Sequence, residues 1–282
     1  MTNLFAGAVV GLLSGVHAAS WGMYKDAPHE GFELRKFLRS ILLGAAIGAA
    51  AAPALGLDAS TARGAAALFG VAYVVERALA EIYKTFLRQE DQSKYTIPMQ
   101  FAIGGRVVES RALRTVLGLG YFALMLALVG ALVAYQHAVG RAPAPIELVV
   151  LGAAGGWLSA IGGAWKDAPI EGFQLFKFFR SPAIAALWAL VLGNLTADLV
   201  TVMLAATGYT VATTETWKTF CFPSHPRGKF ADRPIRFPTM LRRRQRVVPV
   251  YVAVWFVVVV ALGLSLASHA VATPTQVQVS HE

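Results

Sequence analysis

Lys25-Asp-Ala-Pro-His-Glu-Gly-Phe-Glu-Leu-Arg-Lys-Phe-Leu-Arg-Ser40 recurs further along the chain as Lys166-Asp-Ala-Pro-Ile-Glu-Gly-Phe-Gln-Leu-Phe-Lys-Phe-Phe-Arg-Ser181. Twelve of the 16 positions are identical at a constant offset of 141, whereas unrelated segments would share about one. The match continues on both sides, with Gly11, Gly15 and Gly22 answering Gly152, Gly156 and Gly163, and Glu81-Ile-Tyr-Lys-Thr-Phe86 answering Glu215-Thr-Trp-Lys-Thr-Phe220. The sequence therefore predicts an internal duplication.

The composition points to a membrane protein. Of the 282 residues, 56% are hydrophobic and 15% are charged, and the mean hydropathy is +0.55. Soluble domains usually carry about 25% charged residues. A single cysteine excludes both a disulfide framework and a cysteine zinc site.

Crossing a hydrocarbon core of about 30 Å takes about 20 apolar residues. The runs of that kind predict an all-α integral membrane protein with about eight spans: Leu4 to Tyr24, Ser40 to Leu57, Gly64 to Tyr83, Thr115 to Tyr135, Ile146 to Trp165, Pro182 to Leu195, Ala197 to Trp217 and Val248 to Ser268. They form two four-helix repeats, 1–140 and 141–269, followed by a disordered tail, 270–282. Because each half has an even number of crossings, the repeats are expected to be parallel, related by a pseudo-twofold axis along the membrane normal.

The basic residues predict the orientation. Of the 25 lysines and arginines, 23 fall in the segments 25–39, 77–114, 166–180 and 218–246, and only Arg63 and Arg141 fall elsewhere. The positive-inside rule places these four segments in the cytoplasm and both termini outside, in a cell inner membrane. This topology explains the basic excess without a nucleic-acid partner, and anionic lipid headgroups on the cytoplasmic side are the expected partners. Other membrane subunits or a homo-oligomer remain open.

The repeated segment also predicts local structure. Asp-Ala-Pro is expected to break the first helix, residues 32–39 to form a short interfacial helix, and Ser40 and Ser181 to cap the spans that follow. Glycines spaced by four let helix backbones approach closely, which places spans 1 and 5 at the centre of the bundle.

Acidic residues do not set orientation, yet three of them recur, each beside a recurring lysine. The pattern predicts one paired-charge cluster per half: Lys25, Asp26, Glu30, Glu81 and Lys84 in the first, and Lys166, Asp167, Glu171, Glu215 and Lys218 in the second. Charges buried at the cytoplasmic ends of helices are costly, and they form either a structural salt-bridge network or a substrate, ion or metal site.

Three intramembrane residues occur in one half alone. Glu76 and Arg77 lie about two helical turns inside span 3, where span 7 has Thr210 and Val211, which makes them candidates for substrate or ion binding. Arg77 could instead extend toward the interface. His17 has Leu158 as its counterpart and is expected to bond a neighbouring hydroxyl.

Together these features favour a transporter or channel-like protein that handles an ion or a small anionic, phosphate-bearing substrate. The alternatives are an enzyme acting on lipid headgroups or polyprenyl phosphates at the cytoplasmic face, and a non-catalytic scaffold subunit of a membrane complex. Retention of the charged set in both halves argues against an enzyme with a single active site. No nucleotide, metalloprotease or nucleophile motif is present, so the sequence identifies no catalytic residue and no cofactor and leaves metal binding open.

Overall fold

The structure is a computed structural model that describes residues 2–92, 95, 99–104, 106–223 and 230–272, with the backbone alone at 166–171 and 270–272. Helices dominate the described residues: α1 (Thr2–Glu30), α2 (Leu34–Ala54), α3 (Ala62–Ile82), α4 (Arg111–Val139), α5 (Pro145–Glu171), α6 (Leu175–Gly193), α7 (Leu199–Phe220), α8 (Thr239–Arg243) and α9 (Val248–Ala272). A π-helical turn, Tyr83–Leu87, extends α3, a 3-10 turn, Arg244–Val247, joins α8 to α9, and Ala102–Ile103 (β1) pairs antiparallel with Arg106–Val107 (β2). Of the predicted disordered tail, residues 270–272 belong to α9 and the remainder lies outside the described residues.

Among the described residues, six helices are long and apolar enough to cross a membrane: Thr2–Glu30, Leu34–Ala54, Arg111–Val139, Pro145–Trp165, Leu175–Gly193 and Thr239–His269. The chain is thus multi-pass and helical in character. Helices α3 and α7 occupy the other two predicted spans but fall outside this set, because α3 carries Glu76, Arg77 and Glu81 and α7 carries seven threonines.

Glycines bring the helix backbones together as predicted. A Cβ atom at Gly11 would lie 2.1 Å from the carbonyl oxygen of Gly44, so α1 and α2 pack backbone to backbone. The same holds between α3 and α7, where a Cβ at Gly208 would lie 2.0 Å from the oxygen of Gly70. The expectation that the first and fifth spans are central is wrong for α5, whose apolar stretch is largely exposed. Helices α3 and α7 supply half of the residues in the described hydrophobic core.

The turn within the repeated segment has the same backbone in both copies. Helices α1 and α5 end at Glu30 and Glu171, glycines with φ of +82° and +75° follow, and α2 and α6 then begin. Positive φ suits glycine because it lacks a Cβ. The break therefore lies at Gly31 and Gly172.

The other local predictions for this segment are wrong. Helix α1 runs unbroken through Asp26 and Pro28, and residues 34–39 of the predicted interfacial helix are the first turns of α2. Ser40 and Ser181 consequently lie inside helices rather than at their caps. The sixth span begins at Leu175, seven residues before the predicted start, because the basic first turn is continuous with the apolar run.

Candidate functional site

The ends of α1, α3 and α7 meet the beginnings of α2 and α9 at one end of the bundle, which we call the charged end. At its centre, Glu215 of α7 accepts hydrogen bonds from Nζ of Lys25 and of Lys218, both at 2.7 Å. The carboxylate is 12% exposed. Lys218 lies one turn away on the same helix, as predicted, but Lys25 belongs to the other half. Lys25 thus has a partner outside its predicted cluster, and this ion pair ties α1 to α7.

The corresponding pair in the first half is more open. Nζ of Lys84 donates to Oε1 of Glu81 at 2.6 Å, and the glutamate side chain is 39% exposed. The backbone also differs, since Lys84 lies in the π-helical turn Tyr83–Leu87. Such turns are rare and occur frequently at functional sites.

Glu76 and Arg77 form an ion pair inside the bundle. Nε and Nη2 of Arg77 donate to the carboxylate of Glu76 at 2.5 and 2.6 Å, and the Glu76 side chain is 1% exposed. Nη2 also lies 3.4 Å from Oγ of Ser40 on α2, and the guanidinium lies 5.5 Å from the ring centre of Trp21 on α1. Arg77 therefore contacts both neighbouring helices.

A cleft of about 410 Å³ opens at the charged end between α1, the first turns of α2 and the end of α3; we call it the α1–α3 cleft. Four of the predicted site residues line it: Asp26, Glu30, Arg77 and Lys84. Further basic residues in its described lining are Arg35, Lys36, Arg39 and Arg88, and further acids are Glu33 and Glu90. Cations thus outnumber carboxylates along the lining.

The basic residues of the lining differ in their partners. Lys36 pairs with Glu33 at 2.7 Å, and Lys36 and Arg88 lie over the ring of Tyr95, at 4.7 and 4.0 Å. Arg35 and Arg39 are exposed, and neither has an ion-pair partner within the described part of the chain. Their guanidinium groups are available to an anion.

Lys166, Asp167 and Glu171, the other predicted site residues, lie at the end of α5, where the structure describes the backbone alone. Their predicted contacts fall outside the described residues. Among the side chains that are described, no group of three or more His, Cys, Asp or Glu residues could hold a metal ion.

Arg244 is a buried residue of the charged end that the sequence pattern did not single out. Its Nη1 donates to the carbonyl oxygen of Tyr24 and its Nη2 to that of Pro223, both at 3.1 Å, and the guanidinium lies 4.2 Å from the Tyr24 ring centre. Pro28, four residues after Tyr24, has no N–H to donate to that oxygen. The proline inside α1 could have indicated such a residue. It leaves the Tyr24 carbonyl without a helical partner, so another donor is needed there.

The helix lengths and this buried charge define the class: a multi-pass, α-helical membrane protein. No protein-family model, curated protein or solved structure matches the chain.

Proposed function

We propose that the protein is a transporter-like membrane protein that binds a small phosphate-bearing anion in the α1–α3 cleft. The observation that carries the proposal is the pair of exposed arginines, Arg35 and Arg39, beside a cleft whose floor contains Arg77. Guanidinium groups present several N–H donors in a planar fork that matches phosphate oxygens.

The depth of the cleft favours transport over surface binding. Besides the charged rim, its lining includes Ala18, Ala19, Gly22 and Met23 of α1, so it follows that helix inward. Ala18 lies 12 residues before Glu30, roughly 18 Å along the helix axis. A site that extends this far into an apolar bundle gives a bound anion access to the membrane interior.

The proposal includes the membrane arrangement. All eight long helices cross an inner membrane as two parallel repeats, with the charged end in the cytoplasm and both termini outside. Supporting this, the turn at Gly31 and Gly172 is alike in both copies, and 23 of 25 basic residues lie in the segments assigned to one side. With the exposed Cys221 replaced by serine, single cysteines at Ser60 and Ser110 report the orientation. Maleimide labelling of intact cells is expected at Ser60 only, and labelling at Ser110 would contradict the orientation.

Isothermal titration of pyrophosphate into the protein in zwitterionic-lipid nanodiscs tests the anion site. Losing one charge-assisted hydrogen bond of about 1.5 kcal/mol lowers affinity about tenfold. The Arg35→Gln/Arg39→Gln variant is therefore expected to bind at least about tenfold more weakly. The matched control is Arg180→Gln, which removes the arginine at the position equivalent to Arg39 in the second half. An equal loss in both variants, or none in the double variant, would refute the assignment.

The phosphate group could belong to a soluble anion or to a lipid. Dihexanoyl phosphatidic acid, a soluble lipid phosphate, is the second titrant, because Phe37 and Met99 add apolar surface to the cleft. Tighter binding of this titrant than of pyrophosphate assigns a lipid headgroup, and the reverse assigns a soluble anion. Uptake of radiolabelled pyrophosphate by proteoliposomes, reduced in the double variant, tests transport itself.

A further inference from the structure

The core of α1 carries polar atoms that lack partners. Ser14, His17 and Ser20 are 0% exposed, and Ser14 Oγ, His17 Nε2 and Ser20 Oγ have no hydrogen-bond partner among the described residues. Elsewhere in the bundle, helical hydroxyls commonly donate to the carbonyl one turn earlier, as at Thr207, Thr210, Thr214, Thr216, Ser265 and Ser268. Thr201 and Thr219, in the terminal turns of α7, are exceptions. Unpaired polar atoms in a core are costly, and they call for a ligand, a proton or water.

The hydrogen bonds around His17 show which atom is unsatisfied. Nδ1 of His17 lies 3.0 Å from the hydroxyl of Tyr73, which confirms the expected hydroxyl partner. Nε1 of Trp21 donates to the same hydroxyl at 2.6 Å. An indole can only donate, so the Tyr73 oxygen accepts from Trp21, and its second lone pair can accept from Nδ1–H of His17. In that tautomer of the neutral imidazole, Nε2 is unprotonated, and its lone pair has no partner among the described residues.

Aromatic rings surround this imidazole. Tyr251 of α9 stacks on it with ring centres 4.2 Å apart, and Trp255 meets it edge to face at 5.1 Å. Phe69 and Tyr73 of α3 complete the cage, at 6.0 and 5.3 Å. The titratable groups that face His17 in these contacts are the hydroxyls of Tyr73 and Tyr251. Aromatic faces attract cations, so the cage can hold an imidazolium without a carboxylate.

The cage lies next to the α1–α3 cleft. Ala18 and Ala19, which follow His17 directly, line the cleft. Arg77 lines it as well and lies over the ring of Trp21, whose N–H contacts Tyr73. His17 is 13 residues from Glu30, roughly 20 Å along α1 and close to the midpoint of that helix. An ionisable group at such a depth is by default a functional candidate.

We propose that His17 is a proton-binding site in the core of the bundle, filled from the α1–α3 cleft and coupled to the anion bound there. The neutral imidazole takes one proton from a hydronium ion at the cleft, forming one N–H bond as one O–H bond breaks and releasing water. The positive charge then favours an anion in the cleft, and by linkage the anion favours the proton. The coupling rests on the proposed function, whereas the proton site itself does not.

Nitrogen NMR of the protein labelled with ¹⁵N-histidine in zwitterionic nanodiscs tests the proton site. The chain has six histidines, so the resonances of His17 are those missing from His17→Gln. As the pH falls from 8 to 3, the two ring signals of His17 are expected to converge from the separated pattern of a neutral tautomer to that of an imidazolium. A neutral pattern throughout the range would overturn the proposal.

A second variant keeps the test decisive where His17→Gln fails to fold. Tyr73→Phe preserves the ring and removes the hydroxyl at Nδ1, so it is expected to move the His17 midpoint by at least about half a pH unit. Tyr251→Phe, which leaves the stacked ring in place and removes a hydroxyl that contacts Thr216, is the control and is expected to change it less. Equal midpoints in wild type and Tyr73→Phe would contradict the link between Tyr73 and His17.

Titration of pyrophosphate in buffers of different ionisation enthalpy tests the coupling. Wild type is expected to take up a fraction of a proton per pyrophosphate bound near the His17 midpoint, and His17→Gln is expected to take up none. Pyrophosphate binding without proton uptake would refute the coupling alone. Absence of pyrophosphate binding would refute both the coupling and the proposed anion site, and the NMR titration decides the proton site in either case.

Discussion

The pairs Glu81–Lys84 and Glu215–Lys218 are the same two residues at the same spacing, at matched positions in the two halves. Both form a one-turn ion pair, but the Glu81 side chain is 39% exposed and that of Glu215 is 12% exposed. Helix α3 passes into a π-helical turn at this point, whereas α7 stays regular to Phe220. Glu215 also takes Lys25 of α1 as a second partner.

The more exposed pair, Glu81–Lys84, also lies beside the larger opening. Lys84 lines the α1–α3 cleft of about 410 Å³, whereas the opening beside Lys218 holds about 10 Å³ and is bordered by Pro223 and Arg244. One copy of the motif therefore lines a space large enough for a ligand, and the described ion pairs of the other copy tie α1 to α7. Retention of residues in a duplicate does not require that both copies do the same thing. The recurrence of the charged residues therefore does not exclude a single functional site.

The largest expected difference between the two regions concerns their carboxylates. Glu215→Gln leaves Lys25 and Lys218 at the buried charged end without their shared anion, and breaking a buried pair this way typically costs about 3 to 5 kcal/mol. Glu81→Gln breaks a partly exposed pair and is expected to cost about 0 to 1 kcal/mol. Thermal unfolding in detergent, or reversible unfolding by SDS, measures both.

Restoring charge balance is the control for this prediction. The Glu215→Gln/Lys25→Gln variant removes one positive charge along with the carboxylate, so it is expected to recover part of the lost stability. A Glu81→Gln variant as unstable as Glu215→Gln would show that the two regions have the same structural role.

The two halves also differ in how closely their helices pack, and we expect this difference to have a smaller effect on stability. A Cβ at Gly11 would meet the backbone of Gly44 at 2.1 Å, whereas one at the matched Gly152 would lie 2.6 Å from the oxygen of Ala185. Overpacking of this kind typically costs about 1 to 3 kcal/mol, and we expect Gly11→Ala near the upper end and Gly152→Ala near the lower. The same SDS unfolding assay applies. Gly22→Ala is the control, because a Cβ at this position would have no heavy atom of the described residues within 4 Å. A comparable loss of stability in Gly22→Ala would contradict the packing explanation.

Features that depend on local geometry were predicted from local patterns of residues. The ion pairs Glu81–Lys84 and Glu215–Lys218 follow from a spacing of three residues on a helix, which places the side chains on one face. The close approach of α1 and α2 follows from glycines spaced by four, and the partner of His17 from the rarity of unsatisfied imidazoles.

Features that depend on tertiary contacts could not be predicted from such local patterns. The pair Lys25–Glu215 joins residues 190 positions apart, and no periodicity specifies it. Pro28 was expected to break α1, but packing against the segment after α7 overrides the local preference, since the backbone N–H groups of Arg236 and Phe237 donate to the Pro28 oxygen. The cleft itself depends on how α3 ends, and the π-helical turn that follows α3 has no sequence signature.

The smallest expected effect concerns Arg244, which occupies the region beside Lys218. If Arg244 supplies the hydrogen-bond donor that Pro28 lacks, removing Arg244 should lower the stability less when residue 28 has an N–H group. Arg244→Gln is expected to cost about 1.5 to 3 kcal/mol in the wild-type background, because a charged donor is lost from a buried carbonyl.

In Pro28→Ala, the alanine N–H can donate to the Tyr24 oxygen within α1, so the same substitution is expected to cost about 1 kcal/mol less. The remaining cost reflects the bond to Pro223 and the contact with the Tyr24 ring, which both backgrounds share. A double-mutant cycle of unfolding free energies measures this coupling. Additive effects would mean that Arg244 does not replace the N–H group that Pro28 lacks, and a coupling of about 1 kcal/mol would show that it does.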